Sequence, residues 1–187
     1  RIKEIIFLGD KKFKDKKLLE LIASEEHKFW KFISKKVYLN QSLIKLDKRL
    51  LENYYKNNGY YDVKILNSFA ELNKNGSFKL IYNINAGEKF YFDEFSLSLP
   101  VDYDKNDFNK IYTIFSDLTG KSYSLNNINL ILNEIEKIAT LKLYDFIDAE
   151  ISEVKIVNNK LKFLFKITDS EKLYVEKINI FGNFNTI

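Results

Sequence analysis

A short apolar segment followed by glycine occurs near both ends of the chain, and this repeat constrains the fold more than any other feature. Residues 5–10 read IIFLGD and residues 178–183 read INIFGN. Each segment has the composition of a β-strand and ends in Gly with Asp or Asn, a pair that accepts the positive φ of a tight turn. The two copies lie about 173 residues apart and enclose a second series of matching elements, so the repeat is about 87 residues long. The sequence therefore predicts an array of modules.

The first repeat predicts the element order β-α-α-β-β. An apolar strand over residues 2–8 ends at Gly9, a short helix starts near Asp15, a longer helix starts at Ser42, and two strands meet at Asn75-Gly76. Four apolar residues of the longer helix recur at three- and four-residue steps and form its predicted buried face: Leu43, Leu46, Leu50 and Tyr54. Asn58-Gly59 is a typical end for such a helix.

The second repeat has the same order with different residues. A strand over residues 90–99 is followed by helices capped at Asp104 and Ser124, and a hairpin turns at Asn158-Asn159. The predicted buried faces of the two helices are Phe108, Ile111, Tyr112 and Phe115, and then Ile128, Leu132, Ile135 and Ala139. These residues recur at helical spacing, which indicates amphipathic helices packed on a sheet.

The pattern predicts an α+β fold of tandem modules. In each module two antiparallel helices cover one face of a three-stranded mixed sheet, because every element has a single apolar side to bury. The predicted modules are residues 1–88 and 89–171, and residues 172–187 supply the first strand of a further, truncated module. The glycines at the predicted structural turns are Gly9, Gly59, Gly87 and Gly182. Linkers of a few residues keep neighbouring modules in contact.

The residue inventory gives no support for catalysis, and an enzyme is not predicted. The chain has no cysteine and one histidine, His27, which is predicted to lie on the surface. Thiolate chemistry, disulfides and zinc clusters are therefore excluded, and a serine-type nucleophile has only one candidate base. No carboxylate spacing indicates a metal site, and no glycine-rich loop indicates a phosphate site. We predict no catalytic residue, no metal and no cofactor.

The positive charge of the chain is local. The net charge is +4, and basic residues outnumber acidic ones mainly in residues 1–40, which include the lysine-rich residues 11–17. Such a region could face a membrane surface or a nucleic acid, and an aromatic content of 16% also fits a base-stacking surface. The aromatic residues fall on the apolar faces of their elements, however, so core packing and a solvated basic surface are the favoured interpretations.

Several motifs in sequence order resemble POTRA domains. They are D-x-x-L-L-x-x-Y-Y at residues 47–55, NGYYD at 58–62, FWKF at 29–32, NINAGEKFYF at 83–92 and YVEKINIFGN at 174–183. The likeness covers essentially the whole chain and is greatest to the third and fourth POTRA domains, with the first strand of the fifth, of an outer-membrane-protein assembly factor. The sequence departs from the pattern at Leu143 and Ser170, where glycine is expected, which concerns the turns and not the modules.

The resemblance implies the periplasmic portion of an outer-membrane protein of a Gram-negative bacterium. Its implied role is a scaffold and client-binding arm, with unfolded outer-membrane proteins, accessory lipoproteins, neighbouring POTRA modules and a C-terminal β-barrel outside this sequence as partners. Weak contact with a membrane surface is a further expectation, and no nucleic acid is expected. Two alternatives stay open: an interaction array of another secretion or division system, and a nucleic-acid-binding module.

The resemblance also indicates where clients bind. An exposed sheet edge can accept an extended chain through main-chain hydrogen bonds, and in this family that edge is the second strand of each module, here residues 61–72 and 146–157. The predicted client-binding residues are Tyr61, Val63, Ile65, Asn67, Ile147, Ala149 and Ile151. A second predicted surface, for docking a lipoprotein or a neighbouring module, consists of Phe29, Trp30 and Phe32, with burial as a loop plug as its alternative.

Overall fold

The computed structural model of the chain describes residues 1–27, 38–144 and 147–169. For residues 147, 148 and 169 it describes the backbone and not the side chain. The elements of the first module are β1 (Ile2–Asp10), α1 (Asp15–Leu21), α2 (Gln41–Asn57), β2 (Lys64–Leu72) and β3 (Phe78–Asn85). Those of the second are β4 (Tyr91–Ser98), a 3₁₀ turn (Lys105–Phe108), α3 (Asn109–Leu118), α4 (Leu125–Leu141), β5 (Ile147–Ile156) and β6 (Lys160–Asp169). No helix in these ranges is long and apolar enough to span a membrane.

Two three-stranded sheets organise these elements. The strand orders are β1-β3-β2 and β4-β6-β5, so the last strand of each module lies in the middle of its sheet. The first strand of each module pairs parallel to the last one, and the second pairs antiparallel to it. The predicted α+β fold with mixed sheets is confirmed. Both outer strands of each sheet are thus edge strands.

Each sheet packs one face against its two helices. In the first module the core is centred on alternate residues of β3 and includes residues of all five elements: Ile5, Phe7, Leu18, Leu51, Tyr55, Ile65, Leu80, Tyr82 and Ile84. In the second module the corresponding core is rich in aromatic residues: Phe92, Phe108, Ile111, Phe115, Ile128, Ile135, Leu161, Phe163 and Phe165. Burial of these side chains removes large apolar areas from water, which is the main source of stability for each module.

Helix α2 presents a different face to the core from the one that the apolar pattern predicts. Its buried residues are Asp47, Leu51 and Tyr55, whereas Leu43, Leu46, Leu50 and Tyr54 are only half-buried. The predicted face was wrong by one position because it counted only apolar residues, whereas the buried face includes the carboxylate of Asp47. The predicted cap was also wrong: the side chain of Asn40, not that of Ser42, accepts from the backbone of residues 42 and 43.

The helices of the second module agree with the prediction more closely. Asp104 caps the turn before α3 by accepting from the backbone of Asn106 at 2.9 Å. Two predicted face residues lie nearer the surface than expected: Tyr112 is exposed and Leu132 is only partly buried. In α4 the side chain of Ser124 makes no capping bond to its own helix, so the predicted role of this residue is not found.

Outside the loop after β1, where Lys12 has φ 52°, the backbone conformation at the turns follows the residue types with one exception. Asn158 and Asn159 both have φ near 60°, as the predicted hairpin turn requires. Gly9 has φ +85°, and a Cβ at this position would lie 2.3 Å from the carbonyl oxygen of Ile84, so only glycine fits there. The exception is Leu143, which adopts φ 59° although its side chain is a leucine. The glycine that the motif leads one to expect at this position would fit this conformation.

Candidate functional site: the free edges of the two sheets

The first strand of each sheet has its outer edge partly covered by its own module. The carbonyl of Ile2 in β1 accepts from the backbone N–H of His27 at 2.7 Å. In β4 the backbone of Phe92 donates to the carbonyl of Lys121 at 2.9 Å and accepts from the N–H of Gly120 at 2.8 Å. These loop segments use hydrogen-bonding groups that an added strand would need.

The second strand of each sheet has no such cover. Among the described residues, no backbone hydrogen bond reaches the outer edge of β2 or β5, and each strand pairs only with the central strand of its sheet. Alternate N–H and C=O groups of these strands therefore point away from the sheet. An unpaired edge of this kind can hydrogen-bond to the main chain of another extended polypeptide.

Of the four predicted client-binding residues of the first module, two lie in β2 and two precede it. Asn67 lies in β2 and is exposed. Ile65 also lies in β2, but its side chain is buried in the core, so only its backbone is available to a partner. Val63 is buried and precedes the strand, because the N–H of Val63 donates to Tyr60 within a turn at 3.3 Å. The strand starts at Lys64, three residues later than predicted.

Tyr61 lies outside β2 and contacts the second module. Its ring packs at 5.0 Å from the ring of Tyr123 and 5.5 Å from that of Phe90, both centroid to centroid. Its hydroxyl donates to the carboxylate of Glu153 in β5. Burial, followed by the bond to Glu153, raises the pKa of Tyr61, so the hydroxyl stays protonated and able to donate. Tyr61 therefore extends the core of the second module rather than the edge of the first.

A charged pair lies beside this contact. Lys155 of β5 forms an ion pair with Asp62, and its ammonium lies 5.1 Å from the centre of the Tyr61 ring. Burial raises the pKa of the adjacent Tyr123 to about 12. Glu153 and Lys155 stand opposite core residues of β6, so their side chains project on the helix-covered face of the second sheet. The first module thus covers this part of β5.

Asn57 makes a second link between the modules. Its side-chain oxygen accepts from the backbone N–H of Asn126 at 2.7 Å and from the hydroxyl of Ser124 at 3.3 Å. Asn57 is the last residue of α2, and its side chain caps the first turn of α4. A third link is a backbone bond in which Phe90 donates to the carbonyl of Gly59 at 2.9 Å. We call these contacts of residues 57–62 with the second module the module junction.

The predicted residues of the second edge lie in β5. The backbone of Ile147 pairs with Asp169, Ala149 is half-buried opposite Ile167, and the side chain of Ile151 is 37% exposed. Both described side chains project on the helix-covered face. Because the junction residues contact β5 at positions 153 and 155, this edge is less accessible than β2.

Asp47 is a structural residue that sequence reasoning missed. It is fully buried, and one of its oxygens accepts from the backbone N–H groups of Ala23 and Ser24 at 2.6 and 3.1 Å. Its other oxygen accepts from the hydroxyl of Tyr82 at 2.5 Å. Burial and this bond raise the pKa of Tyr82. Asp47 thereby joins α2, the segment after α1 and the central strand.

The described lysines of the basic run and His27 make local contacts. Lysines of the basic run form ion pairs: Lys11 with Asp15, Lys12 with Asp10 at 3.0 Å, and Lys17 with Glu20 at 3.7 Å. This pairing lowers the charge available for a membrane surface. His27 is half-buried, with Nε2 2.9 Å from the guanidinium of Arg1.

Of the predicted turn glycines, Gly9, Gly59 and Gly87 have positive φ, and Gly182 lies outside the described residues. Phe29, Trp30, Phe32, Ser170 and the strand predicted in residues 172–187 also lie outside them. In the described ranges no group of three or more acidic or histidine side chains could hold a metal ion.

Fold and edges together define a class of protein: a tandem array of small α+β modules that offers strand edges for interaction. Residues 1–87 match the sequence model of the POTRA family, described as a surface antigen variable number repeat. This match covers the first module and agrees with the motifs, which predicted POTRA domains.

Relatives along the whole chain agree with this assignment. The chain is 26% identical over 191 residues to the outer membrane protein assembly factor BamA of Neisseria meningitidis serogroup B, an alignment that covers 100% of this chain and 23% of the relative. It is 23% identical to BamA of Buchnera aphidicola, covering 98% of this chain and 30% of that protein. The chain thus spans less than a third of the length of these relatives.

A solved structure shows the same fold over both modules. The crystal structure of POTRA domains 3–5 of Haemophilus influenzae BamA superposes with a TM-score of 0.68 at 16% identity, covering 100% of this chain and 73% of that one. These are the domains that the motifs indicated. POTRA domains 1–2 of the periplasmic domain of Omp85 from Anabaena superpose with a TM-score of 0.55 at 9% identity, covering 90% and 94%. The predicted location, a periplasmic portion of an outer-membrane protein, agrees with these relatives.

Proposed function

We propose that this chain is part of a periplasmic scaffold for outer-membrane protein assembly, and that it binds unfolded outer-membrane polypeptides by strand addition at β2. The observation that carries the proposal is the uncovered edge of Lys64–Leu72, which pairs on one side only. The relatives named as outer membrane protein assembly factors supply the biological context.

Strand addition fits a scaffold that handles many different clients. Main-chain hydrogen bonds are available from any extended segment and do not depend on its side chains. A bond between neutral groups contributes only about 0.5–1.5 kcal/mol net, so a short added strand binds weakly and can be released. The edge β5 is a second candidate, with fewer accessible positions because of the module junction. Accessory lipoproteins and a continuing set of POTRA modules and barrel are further proposed partners.

The test follows the backbone amides of the labelled chain by NMR while an extended peptide from an outer-membrane strand is added. We expect shift changes along Lys64–Leu72, smaller ones along β5, and none confined to the helices. The control is the same peptide with all of its amides N-methylated, because this change removes the main-chain donors of both strand edges and leaves every side chain in place. Shifts restricted to the helices, or equal binding of the N-methylated peptide, reject the proposal.

A further inference from the structure

The uncovered face of the first sheet carries an apolar row that crosses all three strands. Ile6 of β1 stands beside Ile81 of β3, and Ile81 stands beside Phe69 of β2. Ile81 is only 5% exposed although the helices cover the other face, because its two neighbours enclose it. Phe69 lies at the free edge and is 43% exposed. The row therefore ends in a half-covered aromatic ring where an added strand would lie.

Polar residues flank this apolar row on β2 and β3, whereas on β1 one of the flanking residues is the exposed Leu8. On one side Glu4, Lys79 and Glu71 stand in register, and the ammonium of Lys79 lies 3.8 Å from the carboxylate of Glu4. Glu71 is the member at the free edge, and among the described residues it forms no ion pair. On the other side of the row lie Asn83 and Asn67. The edge of β2 thus shows an amide, an aromatic ring and a carboxylate at alternate positions.

The second sheet provides an internal comparison, because its uncovered face lacks this row. The residues in the corresponding register are Ser96, Leu164 and Ser152. The adjacent row contains an ion pair between Lys162 and Glu94 at 2.6 Å. A serine at the edge of β5 offers little apolar area to a neighbouring strand. The aromatic edge is therefore a property of the first module and not of the repeat in general.

We propose that β2 recognises a side-chain pattern in the chain that it adds: an apolar residue beside Phe69 and a basic residue two positions away, beside Glu71. This inference rests on the proposed strand addition and names the segment that is preferred. Residues two apart project on the same face of a strand, and side chains directly opposite on neighbouring strands contact each other. On the other face the edge residues Ser68 and Ala70 are small, so selection is weaker there.

The test compares two extended peptides of identical composition for binding to the full chain. Both have a threonine background; one contains Lys-Thr-Val-Thr-Lys and the other Thr-Lys-Val-Lys-Thr. The first can place valine beside Phe69 with a lysine beside Glu71 in either strand direction, whereas the second places its lysines on the opposite face. Both peptides can place valine beside Phe69, so the single pair of lysine with Glu71 predicts about two- to threefold tighter binding of the first peptide. Affinity is measured from amide shifts of β2.

Variants assign the preference to the two edge residues. Phe69→Thr keeps a strand-forming residue and is expected to weaken the first peptide about fivefold. Glu71→Gln is expected to remove the difference between the two peptides. The matched control is Leu8→Ser, which makes an exposed apolar residue of the same sheet polar on β1, away from the added strand, and it should leave both affinities unchanged.

The outcomes separate this inference from the strand-addition proposal. Equal affinities of the two peptides in the wild-type chain, with β2 amides still perturbed, overturn the pattern and leave strand addition in place. If the Phe69→Thr variant binds the first peptide as tightly as the wild type, the pattern is likewise overturned and strand addition stays in place. No perturbation of β2 by either peptide overturns both.

Discussion

At the scale of single residues, Asp47 shows how one buried carboxylate fixes the packing of a helix. Three donors from two other parts of the module converge on its oxygens: the N–H groups of Ala23 and Ser24 and the hydroxyl of Tyr82. A charged acceptor with several donors is stable in the interior because its hydration is replaced. Because Asp47 faces the core, α2 is rotated about its axis by one residue position from the orientation that its leucines predict.

We predict that Asp47→Ala lowers the free energy of unfolding by about 3 kcal/mol, since it leaves three buried donors without an acceptor. Asp47→Asn retains an acceptor and should lose about 1 kcal/mol. Urea unfolding followed by circular dichroism measures both. The control is Asp117→Ala, an exposed carboxylate that should change stability by less than about 0.5 kcal/mol. A cost for Asp47→Ala as small as that of the control contradicts the assigned role.

Apart from the cap of α2, sequence reasoning predicted features whose cause is local and missed features that depend on contacts between distant residues. The turn at Asn158-Asn159 and the cap at Asp104 depend on neighbouring residues and were predicted. Tyr61 has the composition and spacing of a strand residue, and its contacts with Phe90 and Tyr123 depend on how two modules meet. The residues around Tyr61 do not indicate whether it belongs to a strand or to the contact between the modules.

At the scale of elements, the C-terminal end of α2 is hydrogen-bonded to the N-terminal end of α4. The first turn of α4 has unpaired N–H groups, and its own Ser124 makes no capping bond to them. Asn57 supplies the acceptor from the other module. A cap within the same helix is a local signal, whereas this cap comes from a residue distant in sequence, which is why it was not predicted.

We predict that Asn57→Ala destabilises the first turn of α4 by about 1 kcal/mol, the usual cost of losing an N-cap. Hydrogen exchange of the Asn126 amide should become about five times faster, while amides in the middle of α4 keep their protection. Asn53→Ala, an exposed position on the same helix as Asn57, serves as the control. Unchanged exchange at Asn126 would show that water or another group caps α4.

The order of the elements was within reach of the sequence, because apolar periodicity and turn residues recur in both modules, whereas the central position of the last strand in each sheet was not predicted. The sequence pattern did not indicate which strand edges are free of backbone hydrogen bonds. The strands β1 and β4 are also edge strands, and they are covered by loops around His27 and Gly120 whose sequences carry no strand signal. The resemblance indicated the second strands, and the backbone hydrogen bonds give the physical reason.

At the scale of the whole molecule, the module junction sets how the two free edges lie relative to each other. Between Asn85 and Tyr91 the linker is short, which limits separation of the modules but not their rotation. The exposed pair of Asp62 and Lys155 contributes little, since surface ion pairs are worth about 0–1 kcal/mol. Resistance to rotation therefore rests mainly on the packing of Tyr61 and the hydrogen bonds of Asn57.

This leads to a prediction about the angle between modules. The chain has no cysteine, so spin labels can be attached at Arg49→Cys on α2 and Lys137→Cys on α4, both exposed positions away from the junction. In the wild-type background we expect one narrow distance distribution from pulsed electron spin resonance. Adding Asn57→Ala with Tyr61→Ala should broaden it markedly, because the two side chains that contribute most to the module junction are then removed.

The matched control carries Asn53→Ala with Tyr112→Ala, the same residue types removed from exposed positions outside the junction. It should keep the narrow distribution of the wild type. Circular dichroism must show that both double variants retain their helices, so that broadening reports rotation of folded modules. Equal widths in all three proteins would mean that the linker alone sets the angle. A broad distribution only in the junction variant would mean that two side chains hold the β2 and β5 edges in a fixed relative position.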